Sequence, residues 1–533
     1  MIRRFIVAVC LSVVAPLGAV AQKSAVADRP TLVVFLTVDQ MRSDYLARFK
    51  PQLTAGLKRL ADGGAVFRNG FQDHAITETA PGHSTVMSGR FPVHNGITAN
   101  AQGVNTTDAP LIGGATELGA SPFRFKGTTL TDWMRTANPS MRFLSVSRKD
   151  RGAILPIGTS KGDIYWWSGN AGIFTTSTYY ADTLPTWVQR FNALKGYAGY
   201  AGKSWDLLLP ASKYVEPDSV WEESNGTDFV FPHPYPTDVA NVAKGLSNYP
   251  VMDSLILAFA LQGLQEKQLG ANAQRTDLLA ISLSTTDAIG HKYGPDSREL
   301  HDQILRVDQY LGVFLDSLFK LRDQKRIIIA FTGDHGVSPY PEVHSGRYPN
   351  QNAKRVNLTP QVTALKASLA AAAVPDKAWS FDEGIFFVRN AAAFDSAKVN
   401  ADSVARAFAA VLRTVPGVLR ADQFTDFAKA NLAKDKIARR WLHMFDAGGA
   451  ARMAVTLTPY SYWESTTYAT HGMPHDPDAG VPVLFWGMGV KAGAYRDEVR
   501  TVDMAPTLAA LLGIKPTETI DGVILKKAVR GSK

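Results

Sequence analysis

The chain has 533 residues, 45% of them hydrophobic and 20% charged, and a formal net charge of +9. That is enough apolar material for a large core, and the length fits two to four domains or one large α/β enzyme with insertions. There is no Lys/Arg block of five or more and no aromatic-basic interleaving, so nucleic acid is not expected as a main partner; a mild positive field would instead gather small anions.

Residues 1–21, MIRRFIVAVCLSVVAPLGAVA, read as a secretory signal peptide: Arg3 and Arg4, an apolar run too short to span a membrane, then Ala19-Val20-Ala21 ahead of Gln22. Phe5-Ile6-Val7 fits a twin-arginine signal poorly, so the ordinary export route is expected. No other uncharged apolar stretch reaches 18 residues, so the mature chain, 22–533, should carry no membrane anchor and be periplasmic or secreted. Cys10 is the only cysteine and leaves with the signal, which excludes disulfides and thiolate chemistry from the mature protein.

Thr31–Val38 is a continuous apolar, β-branched run of the kind a central parallel strand shows, and it ends at Asp39. A carboxylate there sits where α/β sheets place their ligands, although one Asp alone could equally cap a turn. Ile76–Gly89 then places Thr79 just before Pro81-Gly82, which open a helix; its N-terminus offers free amides to a phosphate on Thr79, and a Thr so placed also suits a plain helix cap. Phe91–Asn100 is rich in turn signals.

Arg142–Val146 is a further short strand, leading to Lys149 and Arg151. In an extended segment their i, i+2 spacing puts both on one side, suited to a doubly charged phosphoryl group or to a solvated loop. From about 162 to 270 the chain is rich in Trp, Tyr, Pro and Gly and reads as an insertion over the active face. Strand patterning returns at Asp277–Leu283 and delivers Asp287 and His291, four apart and so on one face of a helical turn. His301–Leu321 has the clearest helical stripe, and Arg326–Phe331 is the next buried strand, leading to Asp334 and His335. At about 340–465 an inserted α/β subdomain is expected, with helices near Val362–Ala373 and Asp402–Leu412 and a strand at Ile385–Arg389. The main pattern resumes with His471, the strand Val481–Trp486 and a helix over Thr501–Ile514.

Three strand ends thus carry Asp39, Asp287 with His291, and Asp334 with His335, and a fourth segment supplies His471. Three Asp and three His without thiolate suit zinc, and also manganese or iron. They divide into two three-ligand sites able to steady both oxygens of an in-line displacement and to activate the Thr79 hydroxyl.

Together, VDQMRSDYL around Asp39, TETAPGH with Thr79, SRKDRGAILP, TTDAIGHKYGP, TGDHG, THGMPHD and DMAPTLAALLGI resemble the alkaline phosphatase superfamily, and within it the exported, zinc-dependent PafA-type alkaline phosphatases related to nucleotide pyrophosphatase/phosphodiesterases. The likeness spans about Arg29 to Ile514. It implies an α/β fold with a central, mostly parallel sheet sandwiched by helices and capped by insertions. It implies Thr79 as covalent nucleophile, with Asp39, Asp334, His335 and the Thr79 oxygen holding one zinc ion and Asp287, His291 and His471 the second. Asn100, Lys149 and Arg151 would hold the non-bridging phosphoryl oxygens, the Lys-x-Arg pair favouring monoesters. Asn100 departs from the family in being followed by Ala101-Gln102-Gly103.

The expected activity is therefore hydrolysis of small phosphate monoesters through a phospho-threonine, by a monomer. Alternatives are a phosphodiesterase on the same core, and an exported metal- or phosphate-binding protein without turnover. Sulfatase chemistry is disfavoured because Thr79 stands where sulfatases have Cys or Ser. His83 should pack or hydrogen-bond under the nucleophile helix, His475 is not needed beside His471, and His344 is a candidate outer group. His74, His94, His233, His301 and His443 should be structural, and Glu78 is not needed as a base.

Overall fold

The computed structural model describes residues 29–531, so the signal peptide expected at 1–21 lies outside the described residues. The strands that matter are β1 (Leu32–Val38), β2 (Ala65–Phe71), β3 (Phe143–Ser147), β4 (Asp163–Ser168), β5 (Ile173–Thr175), β6 (Asp277–Leu283), β7 (Ile327–Thr332), β8 (Trp379–Asp382), β9 (Ile385–Val388), β10 (Val418–Gln423), β11 (Ala451–Leu457), β12 (Gly480–Gly487) and β13 (Gly493–Arg500). The principal helices are α1 (Thr79–Ser88), α2 (Asp150–Ile154), α3 (Val251–Glu266), α4 (Thr285–Tyr293), α5 (Arg298–Leu321), α6 (Thr359–Ala371), α7 (Ala401–Leu412) and α8 (Met504–Leu512).

Nine strands form one sheet in the order β13-β2-β12-β7-β1-β6-β3-β4-β5. Its centre, β7-β1-β6-β3-β4, is parallel, while β12 and β5 run antiparallel to their neighbours. Every residue of β1, β6 and β7 is buried, which is why these segments read as unbroken apolar runs rather than alternations. Leu32, Val34, Leu36 and Val38 face a layer built with α3 and α5, and Val33 and Phe35 face the opposite layer with α1, α2 and α8. The expected mostly parallel sheet between helical layers is what the chain forms.

Register levels the strand ends. Thr37 pairs with Ser282 and with Thr332, and Ser147 pairs with Ser282. Each of these parallel strands therefore stops on a common line, and the residues just beyond, Asp39, Lys149, Asp287 and Asp334, open onto one edge.

Two segments differ from the sequence reading. Within 162–270, β4 and β5 extend the main sheet and the 16-residue α3 covers it, so much of this stretch belongs to the core layers. Helix α3 is apolar on nearly every face because it is packed between the sheet and α5, and it therefore lacks the stripe that betrays a surface helix. The edge strand β13 and its neighbour β2 are not marked in the sequence either, since exposed Arg68 and Asn69 in β2 and the charged run of β13 interrupt any apolar run. Residues 379–457 build a separate antiparallel sheet, ordered β8-β9-β11-β10, packed on α6 and α7 with its own apolar core.

Candidate active site

Thr79 is the first residue of α1 and is buried. Pro81 occupies its first turn, where a missing N–H costs nothing. Glu78 caps the helix in extended conformation, and its Oε2 accepts a bond from the Asn100 N–H at 2.6 Å while Asn100 Oδ1 accepts from the Ala80 N–H at 2.9 Å. Asn100 is thus clamped beside the nucleophile's helix. Gly82 is required by proximity: a Cβ there would lie 2.1 Å from the Asp334 carbonyl oxygen, so only glycine lets α1 approach the β7 strand end.

Around the Thr79 hydroxyl the strand ends converge. His335 Nε2 lies 3.4 Å from Thr79 Oγ1 and 3.4 Å from Asp39 Oδ1. Lys149 Nζ donates to Thr79 Oγ1 at 3.1 Å and sits 2.7 Å from a carboxylate oxygen of both Asp39 and Asp287. His291 Nε2 is 3.1 Å and His471 Nε2 3.6 Å from Asp287 Oδ1, and these two ring nitrogens are 3.3 Å apart.

Two tight sets of potential metal ligands result, Asp287 with His291 and His471, and Asp39 with Asp287 and His335. Asp334 stands just outside the second set: its Oδ1 accepts from the backbone N–H groups of Gln40 and His335, both at 3.0 Å, and its Oδ2 is 3.6 Å from His335 Nε2.

Three observations fit these residues to cations. Both Asp39 oxygens and Asp334 Oδ2 are buried without a well-directed hydrogen bond: Asp39 Oδ2 has only the Lys149 ammonium at 2.7 Å and Asp334 Oδ2 only the shared His83 Nδ1 at 3.1 Å. Each histidine spends its Nδ1–H on a backbone carbonyl, His291 on Ala469 at 2.5 Å, His335 on Gly336 at 2.9 Å and His471 on Thr77 at 2.6 Å, which leaves every Nε2 lone pair facing the cluster. Burial, then the charges of Asp287 and Asp334, raise the Asp39 carboxyl above the usual range, while burial and the neighbouring His471 hold His335 neutral. Asp287 is pulled well below the usual range: burial opposes, but Lys149 and His291 prevail. In this arrangement the Lys149 ammonium supplies the positive charge that the carboxylates demand.

The extended placement of Lys149 and Arg151 on one side is not what forms. Lys149 is the extended cap of α2, and Arg151 already lies inside that helix, half-buried, with Nη1 3.6 Å from Asp150. The Asp150 side chain accepts from the Arg151 N–H at 2.6 Å, and Lys149 N–H is held by Ser147 Oγ at 3.1 Å, so local bonding starts the helix at Asp150, one residue before Arg151. Arg151 Nε is buried without a partner.

The structure adds Gln40, which the sequence did not single out. Gln40 is fully buried in a left-handed conformation, φ 63°, and its Nε2 donates to Asp287 Oδ1 at 3.1 Å while its own N–H holds Asp334. Gln40 therefore ties two carboxylates from different strand ends. Gly290 leaves room for it, since a Cβ there would fall 1.7 Å from Gln40 Oε1. His83 Nδ1 faces two acceptors, Thr79 O at 3.0 Å and Asp334 Oδ2 at 3.1 Å, so it carries the proton, and Nε2 accepts from the Ser282 hydroxyl at 2.9 Å. His475 donates to the Leu457 carbonyl and His344 bonds Gln351, both away from the cluster.

The family model of type I phosphodiesterase / nucleotide pyrophosphatase matches residues 33–378. The alkaline phosphatase PhoK of a Sphingomonas species is 32% identical over 94% of this chain and 91% of its own. The alkaline phosphatase PafA of Elizabethkingia meningoseptica is 30% identical over 93% and 94%. A Myroides odoratus protein named calcium-transporting ATPase is 30% identical over 94% and 95%. The crystal structure of wild-type PafA superposes with a TM-score of 0.85 at 26% identity, covering 94% of this chain and 99% of the crystallised one. A second PafA structure is of a variant in which a threonine, an asparagine, a lysine and an arginine are replaced together.

Proposed function

The chain belongs to the type I phosphodiesterase / nucleotide pyrophosphatase family and, within it, to the alkaline phosphatases; on that premise we propose that it hydrolyses small phosphate monoesters by double displacement through phospho-Thr79. The observation that carries the reading is the Thr79 hydroxyl, set at a helix N-terminus between Lys149 and His335 and against two sets of inward-facing ligands. The four residue types replaced together in the PafA variant are those of Thr79, Asn100, Lys149 and Arg151.

Thr79 Oγ1 loses its proton and bonds to phosphorus as the ester oxygen leaves with its bonding pair and takes up a proton. Water then attacks phospho-Thr79, which releases inorganic phosphate and restores the hydroxyl. Two zinc ions, one on Asp39, Asp334, His335 and the Thr79 oxygen and one on Asp287, His291 and His471, would supply Lewis acidity at the attacking and leaving oxygens. Asn100, already locked against Ala80, presents its amide N–H to a non-bridging oxygen. Lys149, when cations match Asp39 and Asp287, is free to turn its ammonium onto the phosphoryl group, with Arg151 completing the clamp.

Export to the periplasm or beyond and a monomeric state belong to the same proposal. Among the described residues no helix is long and apolar enough to cross a membrane.

The test compares zinc-loaded wild type and Thr79→Ala on an aryl phosphate, the matching diaryl phosphate and an aryl sulfate. Wild type should favour the monoester, and the variant should lose at least about 1,000-fold in kcat, as removal of a catalytic nucleophile does. A diester rate equal to or above the monoester rate would overturn the monoesterase reading in favour of a phosphodiesterase.

A further inference from the structure

One cavity next to the site has no part in the chemistry above. It has a volume of about 200 Å³ and is walled by Glu78, Glu383, Tyr460, Trp463, His471 and Asp478, with no lysine or arginine in its lining. In a chain with a surplus of nine positive charges, a cavity facing three carboxylates and no cationic arginine or lysine is a marked local reversal of sign.

The smaller sheet builds one wall. In the β8–β9 hairpin Asp382 pairs with Ile385, so Glu383-Gly384 form a two-residue turn with φ of +51° and +78°, the pattern of a type I′ turn. Gly384 lies so close to the Trp463 indole that a Cβ would stand 2.9 Å from Cζ2. The turn therefore holds Glu383 at a fixed place on the cavity rim.

The carboxylates differ in how they are satisfied. Asp478 accepts from the Ser338 hydroxyl at 2.6 Å and the Met473 N–H at 3.1 Å, and Glu78 accepts from Asn100. Glu383 has neither a hydrogen bond nor an ion pair among the described residues. Although the residue as a whole is exposed, loss of water around its carboxyl, then the charges of Glu78 and Asp382, push it up to about 7.

The cavity is tied to the site at two points: Glu78 immediately precedes Thr79, and His471 belongs to the ligand set assigned above to the leaving oxygen. We propose that it is a leaving-group subsite for a protonated amine, so that the preferred esters are phosphates of short amino alcohols. The ammonium would pair with Glu383 and lie against the Trp463 and Tyr460 faces, contacts open to a cation and closed to an anion. The volume is ample for an aminoethyl group.

The inference rests on the monoesterase reading, and the experiment separates the two. With zinc-loaded full-length enzyme, kcat/KM is measured for 2-aminoethyl, n-propyl and 2-carboxyethyl phosphate, and binding of 2-aminoethylphosphonate and n-propylphosphonate is followed by calorimetry. The amine should be favoured over the propyl compound by about tenfold in both assays, a factor within the range of one desolvated cation–π and charge contact, with the carboxylate the poorest ester. Glu383→Gln should bring the amine-to-propyl ratio close to one, and Trp463→Leu should reduce it. Equal binding of the two phosphonates, or a ratio that survives Glu383→Gln, would overturn the subsite. If no ester is turned over, the monoesterase reading falls, and the phosphonate affinities still decide the cavity.

Discussion

Gln40 shows at the scale of one residue how the site is held. Its side chain bonds Asp287 and its backbone bonds Asp334, across 247 and 294 residues of chain. Replacing it with Ala should leave the fold intact and weaken metal retention by about 10- to 100-fold, the usual cost of losing a group that orients a ligand, measured by competition with a chromophoric chelator; unchanged retention would show that Asp287 needs no such support. Lys149 and Arg151 make a second case. Replacing both with Ala should reduce aryl phosphate turnover far more than diaryl phosphate turnover, because the second phosphoryl charge loses its partners; parallel losses would assign the pair another task. Asp39, Asp334, His335 and the Asp287/His291 pair were readable because each follows an apolar run that only a central strand explains. Gln40 and Ser282 were not, because a polar residue acquires its role here only when strands distant in sequence are brought level.

Among the elements, α1 carries the greatest constraint. Its Gly82 touches the Asp334 backbone, so Gly82→Ala must push the nucleophile's helix away from the β7 end. The substitution should cost about 1–3 kcal/mol of stability by overpacking and about 100-fold in kcat by displacing Thr79, read from denaturant unfolding and turnover on the same preparation. A normal kcat would show that the close approach has no catalytic consequence. The main helices and strands were legible to within a few residues wherever periodicity was clean, as in α5, whose stripe of Ile304, Val307, Leu311, Phe314, Leu315 and Leu318 is entirely buried. Helix α3 lacked any such stripe because both of its sides are covered, and Arg151 could not be placed because an Asp150 side chain, not spacing, starts α2.

On the scale of the whole molecule, the buried carboxylates make folding and metal binding one equilibrium. Asp39, Asp287 and Asp334 face one another with one lysine between them, so chelation should lower the unfolding temperature and zinc should restore it, by about 4 kcal/mol when free zinc exceeds its Kd a thousandfold. No shift on chelation would refute occupancy of the cluster. A second linkage lies away from the site, where Glu216 bonds Arg48 at 2.7 Å and His301 at 2.7 Å and pins the excursion after β5 to α5. Burial alone would raise its carboxyl, yet His301 and Arg48 lower it to about 2 from 4.5. A lowered folded value means stability present above pH 4.5 and lost as pH falls toward 2, so Glu216→Gln should cost unfolding temperature at pH 6 and progressively less below pH 4. The order of apolar runs and strand-end acids was enough to identify an α/β sheet with its chemistry on one edge, because burial on both faces leaves an unmistakable mark on a strand. The level register of four strand ends, the approach of α1 to β7, the bridging by Gln40 and the acidic cavity under the small sheet's hairpin came only with the folded chain. Each depends on distances between segments hundreds of residues apart, which no local pattern encodes.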